Sequence, residues 1–138
     1  MGTIASAPAK ATSAVQKYWK ITAPVLAAVA ALGFLLNIIG QADLLGRDFL
    51  SFDFTHNFVH TLLAALAFFL GYGDDVGEAV ARTGAKIVGV IYLVLAIVGF
   101  LDGALFGLGP FLNLHLEIGE NLIHLALGGW GAFVGFLR

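Results

Sequence analysis

The fold this sequence predicts is an all-α integral membrane bundle of four helices, built as two tandem helical hairpins, and three observations predict it. Hydrophobic residues make up 59% of the chain and charged residues 12%. That balance lies outside the range of soluble domains, so the lipid bilayer is the expected solvent and partner. Apolar runs recur at lengths near the ~20 residues a helix needs to cross a hydrocarbon core of ~30 Å. A polar pattern also occurs twice. Asp53, His56, Asn57 and His60 open an apolar run that ends at Gly71, and Glu117, Glu120, Asn121 and His124 open another that ends at Gly135.

Taken in order, residues 1–16 form a lead rich in Ala, Ser and Thr, with too little apolar surface to offset its ordering entropy. We expect a flexible tail there, followed by a single membrane domain over 17–138 with repeats at about 20–72 and 84–137. The Met-Gly start fits the loose myristoylation pattern, which offers little to a polytopic chain. Lys17, Tyr18, Trp19 and Lys20 then combine cations and amphipathic rings, as an interfacial anchor does, before a first span at 21–39. This run is long for a secretory signal and lacks a small-x-small cleavage site. Residues 41–54 mix Asp43, Arg47, Asp48 and Asp53 with Leu and Phe and are expected to lie along the membrane surface.

The second span is expected at 55–72, followed by a polar loop that begins at Gly73 and runs through Glu78 and Arg82. The third, at 84–106, carries Gly99 and Gly103, with Gly107 just beyond, at the spacing that lets helices approach closely in lipid. An outer loop at 108–118 contains Pro110, and the fourth span is expected at 119–137. Orientation follows from the cations. Lys10, Lys17, Lys20, Arg82, Lys86 and Arg138 all fall at the termini or the middle loop, whereas the other two loops hold only Arg47. The positive-inside rule therefore makes both termini cytoplasmic, in a prokaryotic inner or cytoplasmic membrane, and puts the duplicated acidic patches at the outer face.

The same composition excludes several functions. Without cysteine there is no disulfide, thiolate metal site or iron-sulfur cluster, so any metal would rest on His and carboxylate ligands. A net charge of −2 with scattered cations offers no stripe to track a phosphate backbone, and nucleic acid is not an expected partner. Ser51 stands alone, with no partnered base, and there is no phosphate-cradling glycine loop.

The duplicated patch carries the candidate chemistry. Residues four apart share a helix face, so His56 lies over His60 and Glu120 over His124. Below them run Ala64, Ala67 and Gly71 on one helix and Gly128, Gly131 and Gly135 on the other, small-residue stripes that turn the polar groups into the bundle. One reading makes the polar groups pins, with Asn57 and His60, and Asn121 and His124, bonding each other, the facing repeat or the outer-loop backbone so as to hold helix ends together, each contact contributing roughly 0.6 to 2 kcal/mol. A second makes His56, His60, Glu120 and His124 a metal site for zinc, iron or copper, with Asp53 and Glu117 behind them. In a variant, His60 and His124 are axial ligands of a tetrapyrrole of haem or chlorophyll type, with Gly128 and Gly131 leaving room for the ring. A third reading, proton or ion translocation, lacks a continuous polar path, since Asn37, Asp102 and Lys86 all sit near span ends.

The recurring Asn-x-x-His at the starts of the second and fourth spans resembles a family of small prokaryotic four-helix membrane proteins of unknown function. The likeness covers roughly 20–137. It implies a four-span fold and brings no activity or catalytic residue. From size and Gly-rich faces, the expected role is a small accessory or structural subunit of a larger membrane complex or homo-oligomer, with no catalytic activity of its own. Metal or tetrapyrrole binding near the outer face is the alternative.

Overall fold

The computed structural model describes residues 12–46, 49–112 and 114–137. Five α-helices follow one another: α1 (Ala14–Ile38), α2 (Phe54–Tyr72), α3 (Glu78–Leu101), α4 (Gly109–Leu112) and α5 (Ile118–Phe136), with a 3-10 turn at Leu105–Gly107 before α4. Of these, α1, α2 and α3 are long and apolar enough to cross a membrane. The expected clean four-span bundle of two hairpins is thereby corrected. The helix expected as the fourth span, α5, is not among those three, because Glu120, Asn121, His124 and its glycines dilute its apolar content.

Each helix starts and stops for local reasons. Ser13 caps α1 in a reciprocal box, Gln16 N–H donating to Ser13 Oγ and Ser13 N–H to Gln16 Oε1. The helix therefore begins at Ala14, and residues 14–16, expected in the tail, form its first turn; residues 1–11 lie outside the described residues. Asp53 caps α2 by accepting the His56 N–H at 2.7 Å. Helix α3 starts at Glu78, so Arg82 belongs to the helix and not to a loop. It also stops five residues before the expected end. The Asp102 carboxylate accepts from Ala104 N–H at 3.1 Å and Phe106 N–H at 2.7 Å, which turns the chain back on itself. Leu105, Phe106 and Gly107 then take positive φ, which no helix can continue through.

Helix α1 packs antiparallel along α2, with Gly33 against Asn57 at one end and Trp19 against Gly71 at the other. Helix α3 packs antiparallel along α5, with Gly99 against Asn121, Tyr92 against Gly128 and Lys86 against Gly135. At Gly89 the helices approach so closely that a Cβ would strike the backbone of Gly131 and Ala132. The two pairs meet around Tyr18 and Trp19. Both rings are buried, where the sequence predicts an anchor at the membrane interface. Trp19 Nε1–H donates to Ala81 O at 2.8 Å, and Tyr18 stacks edge-on to Trp19 and to Trp130. These contacts satisfy the polar handle of one ring and fill the gap between pairs, which outweighs an interfacial position.

Outward faces carry Leu62, Phe69, Ile91 and Ile97, all exposed. Buried positions include His56, Asn57, His60, Glu117, Glu120, Asn121 and His124. An apolar exterior over a polar interior suits lipid as the surroundings.

Candidate metal centre

The first turns of α2 and α5 lie side by side at one end of the bundle, and that juxtaposition creates the site. Asp53 caps the start of α2 and Glu117 that of α5, the latter through a reciprocal box in which Glu117 N–H donates to Glu120 Oε2 at 3.4 Å. The next inward turns project His56 and His60 from α2 and Glu120 and His124 from α5. The segments leading into α2 and α5 are laced together over them. Gly119 N–H donates to Phe49 O at 2.8 Å, and Ser51 Oγ–H donates to Glu117 Oε1 at 2.6 Å.

Three imidazoles converge beneath this lacing. Ligand-capable atoms of His56, His60 and His124 all lie within 4.8 Å of one another, and all three residues are buried. Ring centroids are 4.4 Å apart for His56 and His60, 5.9 Å for His56 and His124, and 6.4 Å for His60 and His124. Tyr92 of α3 lies with its ring 4.9 Å from that of His124. Beside the imidazoles is a cavity of about 170 Å³ walled by Leu26 and Val29 of α1, Phe52, and Ile123 and Leu127 of α5.

Glu120 is placed differently from the three histidines. Its Oε1 lies 2.8 Å from His56 Nδ1, and the two side chains are 6% and 7% exposed. That places the carboxylate on the Nδ1 side of the His56 ring, a position from which a carboxylate orients a ligating imidazole. His60 Nδ1 and His124 Nδ1 are buried and bond to nothing. Above them, burial pushes the Asp53 carboxyl above the usual carboxylate range, only partly offset by the His56 N–H and the neighbouring imidazole.

The asparagines bond to the loop backbone, one of the partners the pinning reading allows for, and not to the histidines. Asn57 Nδ2–H donates to Phe52 O and Asn121 Nδ2–H to Leu116 O, each at 3.4 Å. Each amide also presses against a glycine of the neighbouring helix, Gly33 and Gly99 respectively, where a Cβ has no room. Asn37 Nδ2–H adds bonds to Gly33 O at 2.8 Å and to Phe52 O.

Three participants escaped the sequence reading. His115 is exposed and not part of either copy of the pattern, yet its Nδ1 lies 3.5 Å from Glu117 Oε1. Ser51 bonds to the same oxygen. Tyr92 sits in a run of apolar residues that gives no hint of its contact with His124.

No known protein family, curated protein or solved structure matches this chain. The resemblance to a four-helix membrane family is therefore withdrawn, and function rests on the site alone. The expected role of an accessory subunit is corrected by the same site, because a buried cluster of three histidines backed by a carboxylate is what a metal centre requires.

Proposed function

We propose that this protein is a membrane-embedded metal-binding protein that holds one first-row transition-metal ion on His56, His60 and His124. The observation that carries the proposal is the convergence of the three buried imidazoles within 4.8 Å, with no protein partner for the Nδ1 atoms of His60 and His124. Leaving a buried polar atom unpaired costs about 1–3 kcal/mol. An ion removes that cost by taking lone pairs. Three nitrogens without thiolate suit zinc, copper or iron, and a set of three histidines keeps a further position for water or another ligand.

Glu120 supports the reading as the partner that would orient His56, in the carboxylate-histidine-metal arrangement common to such centres. The cavity favours a bare ion over a tetrapyrrole. At about 170 Å³ it is small beside the roughly 300–1,000 Å³ of pockets that enclose drug-sized ligands, and the His56 ring stands 4.4 Å from that of His60, in the space a macrocycle would need. The distribution of Lys and Arg supports an orientation in which the end bearing Asp53 and Glu117 faces away from the cytoplasm.

The test is metal content per chain after purification without chelator, compared among the unaltered protein, His60→Ala and His124→Ala. We expect near-stoichiometric metal in the first and its loss in both variants. Full retention in the variants, or a metal-free unaltered protein that takes up none of the three ions, refutes the proposal.

A further inference from the structure

The triad lies in an apolar setting, and a hydrated cation cannot reach it through lipid or through walls of Leu and Val without a large desolvation cost. Its way in must be polar. Among the described residues, Tyr92, Tyr18 and Thr22 are buried between the helices, and their hydroxyls carry no formal charge to draw a cation. Toward the nearer end of the bundle the groups are ionisable and graded in exposure. The His115 side chain is 60% exposed and lies 3.5 Å from Glu117 Oε1, whereas the Glu117 side chain is 2% exposed. The Glu117 N–H donates in turn to Glu120 Oε2 at 3.4 Å, and Glu120 Oε1 lies 2.8 Å from His56 Nδ1.

Glu117 has an unexplained feature. Its Oε1 receives the Ser51 hydroxyl, but Oε2 is buried and has no hydrogen-bond partner, in a residue 3% exposed. A buried carboxylate with one oxygen unbonded, the other 3.5 Å from the exposed His115 imidazole, and one helical turn from the Glu120 carboxylate behind His56, has the donor chemistry of a cation way-station. We propose that His115 and Glu117 form a loading site for divalent cations, which pass from the outer surface by way of Glu120 to the His56, His60 and His124 triad. This rests on the metal centre proposed above and adds the route by which it fills.

The experiment follows zinc(II) uptake by the full chain in lipid nanodiscs, by stopped flow against a chromophoric chelator. It compares the unaltered protein, His115→Ala, Glu117→Gln and the double variant, with Asp74→Asn as a control at an exposed acid in the loop between α2 and α3. Glutamine keeps an acceptor oxygen for Ser51 and for the start of α5, and His115 is exposed, so each variant is expected to fold, which its helical circular dichroism checks. Clefts of one charge sign raise association rates by roughly 10 to 1,000-fold, so we expect the double variant to bind the same single ion at equilibrium but about tenfold more slowly. Asp74→Asn should leave the rate unchanged. Equal rates in all proteins overturn the route while the metal centre stands, as does equal slowing by Asp74→Asn. Loss of the ion at equilibrium in Glu117→Gln also overturns it, by making Glu117 a ligand of the resident ion. An unaltered protein that binds no zinc, copper or iron overturns the metal centre and the route with it.

Discussion

Glu120→Gln separates two roles that the sequence alone cannot distinguish, a direct metal ligand and a carboxylate that orients a ligand. In the structure the Glu120 carboxylate lies 2.8 Å from His56 Nδ1, with both side chains almost fully buried. Unit charges 4 Å apart interact by about 4 kcal/mol at an effective dielectric near 20. Glutamine keeps an acceptor oxygen facing His56 and loses only the charge, so a fraction of that energy should go. Changes to such supporting partners typically weaken metal affinity by about 10 to 100-fold, which corresponds to about 1.4 to 2.7 kcal/mol. Zinc(II) competition against a chelator of known affinity, on protein in nanodiscs, reads this directly. The expected result is one bound ion with affinity lowered within that range. Unchanged affinity refutes the orienting role, and complete loss of the ion shows that Glu120 itself belongs to the ligand set.

Two further predictions concern the scaffold. Gly89→Ala should lower the thermal stability of the purified protein by about 1–3 kcal/mol, since its Cβ would meet the unyielding backbone of Gly131 and Ala132. Gly129→Ala, where a Cβ meets nothing within 4 Å, should be neutral or stabilise by up to about 1 kcal/mol, and equal losses at both positions would refute the close-packing argument. The chain has no native cysteine, so single substitutions give clean topology markers. His115→Cys should react with a membrane-impermeant thiol reagent from the side opposite to Asp74→Cys, and same-side labelling would refute the orientation drawn from the cations.

The sequence made the helical membrane character legible because burial in lipid imposes a strong compositional signal, and it brought His56, His60, Glu120 and His124 to notice through their repeated spacing. The fourth span failed at α5 for the same reason the site was noticed, since the polar residues that mark the site subtract from the apolar run. The end of α3 was missed because Asp102 acts through backbone contacts that spacing does not reveal, and a long apolar run around it reads as continuing helix. Tyr18 and Trp19 were misplaced because an aromatic pair between lysines looks alike at an interface and in a core. Only the contact with Ala81, 62 positions away, separates the two cases. His115 was overlooked for want of a counterpart in the first copy of the pattern, although it is one of only four histidines.

The strongest argument for a ligand role comes from how the polar groups divide their work. Helix ends are held by Asp53, Glu117 and Glu120 through backbone N–H groups, and the loop carbonyls of Phe52 and Leu116 are held by Asn57 and Asn121. With those tasks taken, His60 Nδ1 and His124 Nδ1 have none. A histidine kept for structure should stabilise the metal-free protein, whereas one kept for a ligand should burden it. In thermal unfolding of the metal-free protein, Asn57→Leu should therefore cost about 1–3 kcal/mol, because it removes a bond to the Phe52 carbonyl and presses a branched apolar tip against the close approach at Gly33. His60→Leu should be neutral or stabilising, because it removes a buried nitrogen that lacks a partner and puts apolar volume in its place. In the metal-loaded protein the order should reverse, with His60→Leu losing the whole stabilisation contributed by the ion, about 2.7 kcal/mol at a free metal concentration of about 100 times the dissociation constant. If His60→Leu destabilises the metal-free protein as much as Asn57→Leu does, the histidines are structural pins and the metal reading fails.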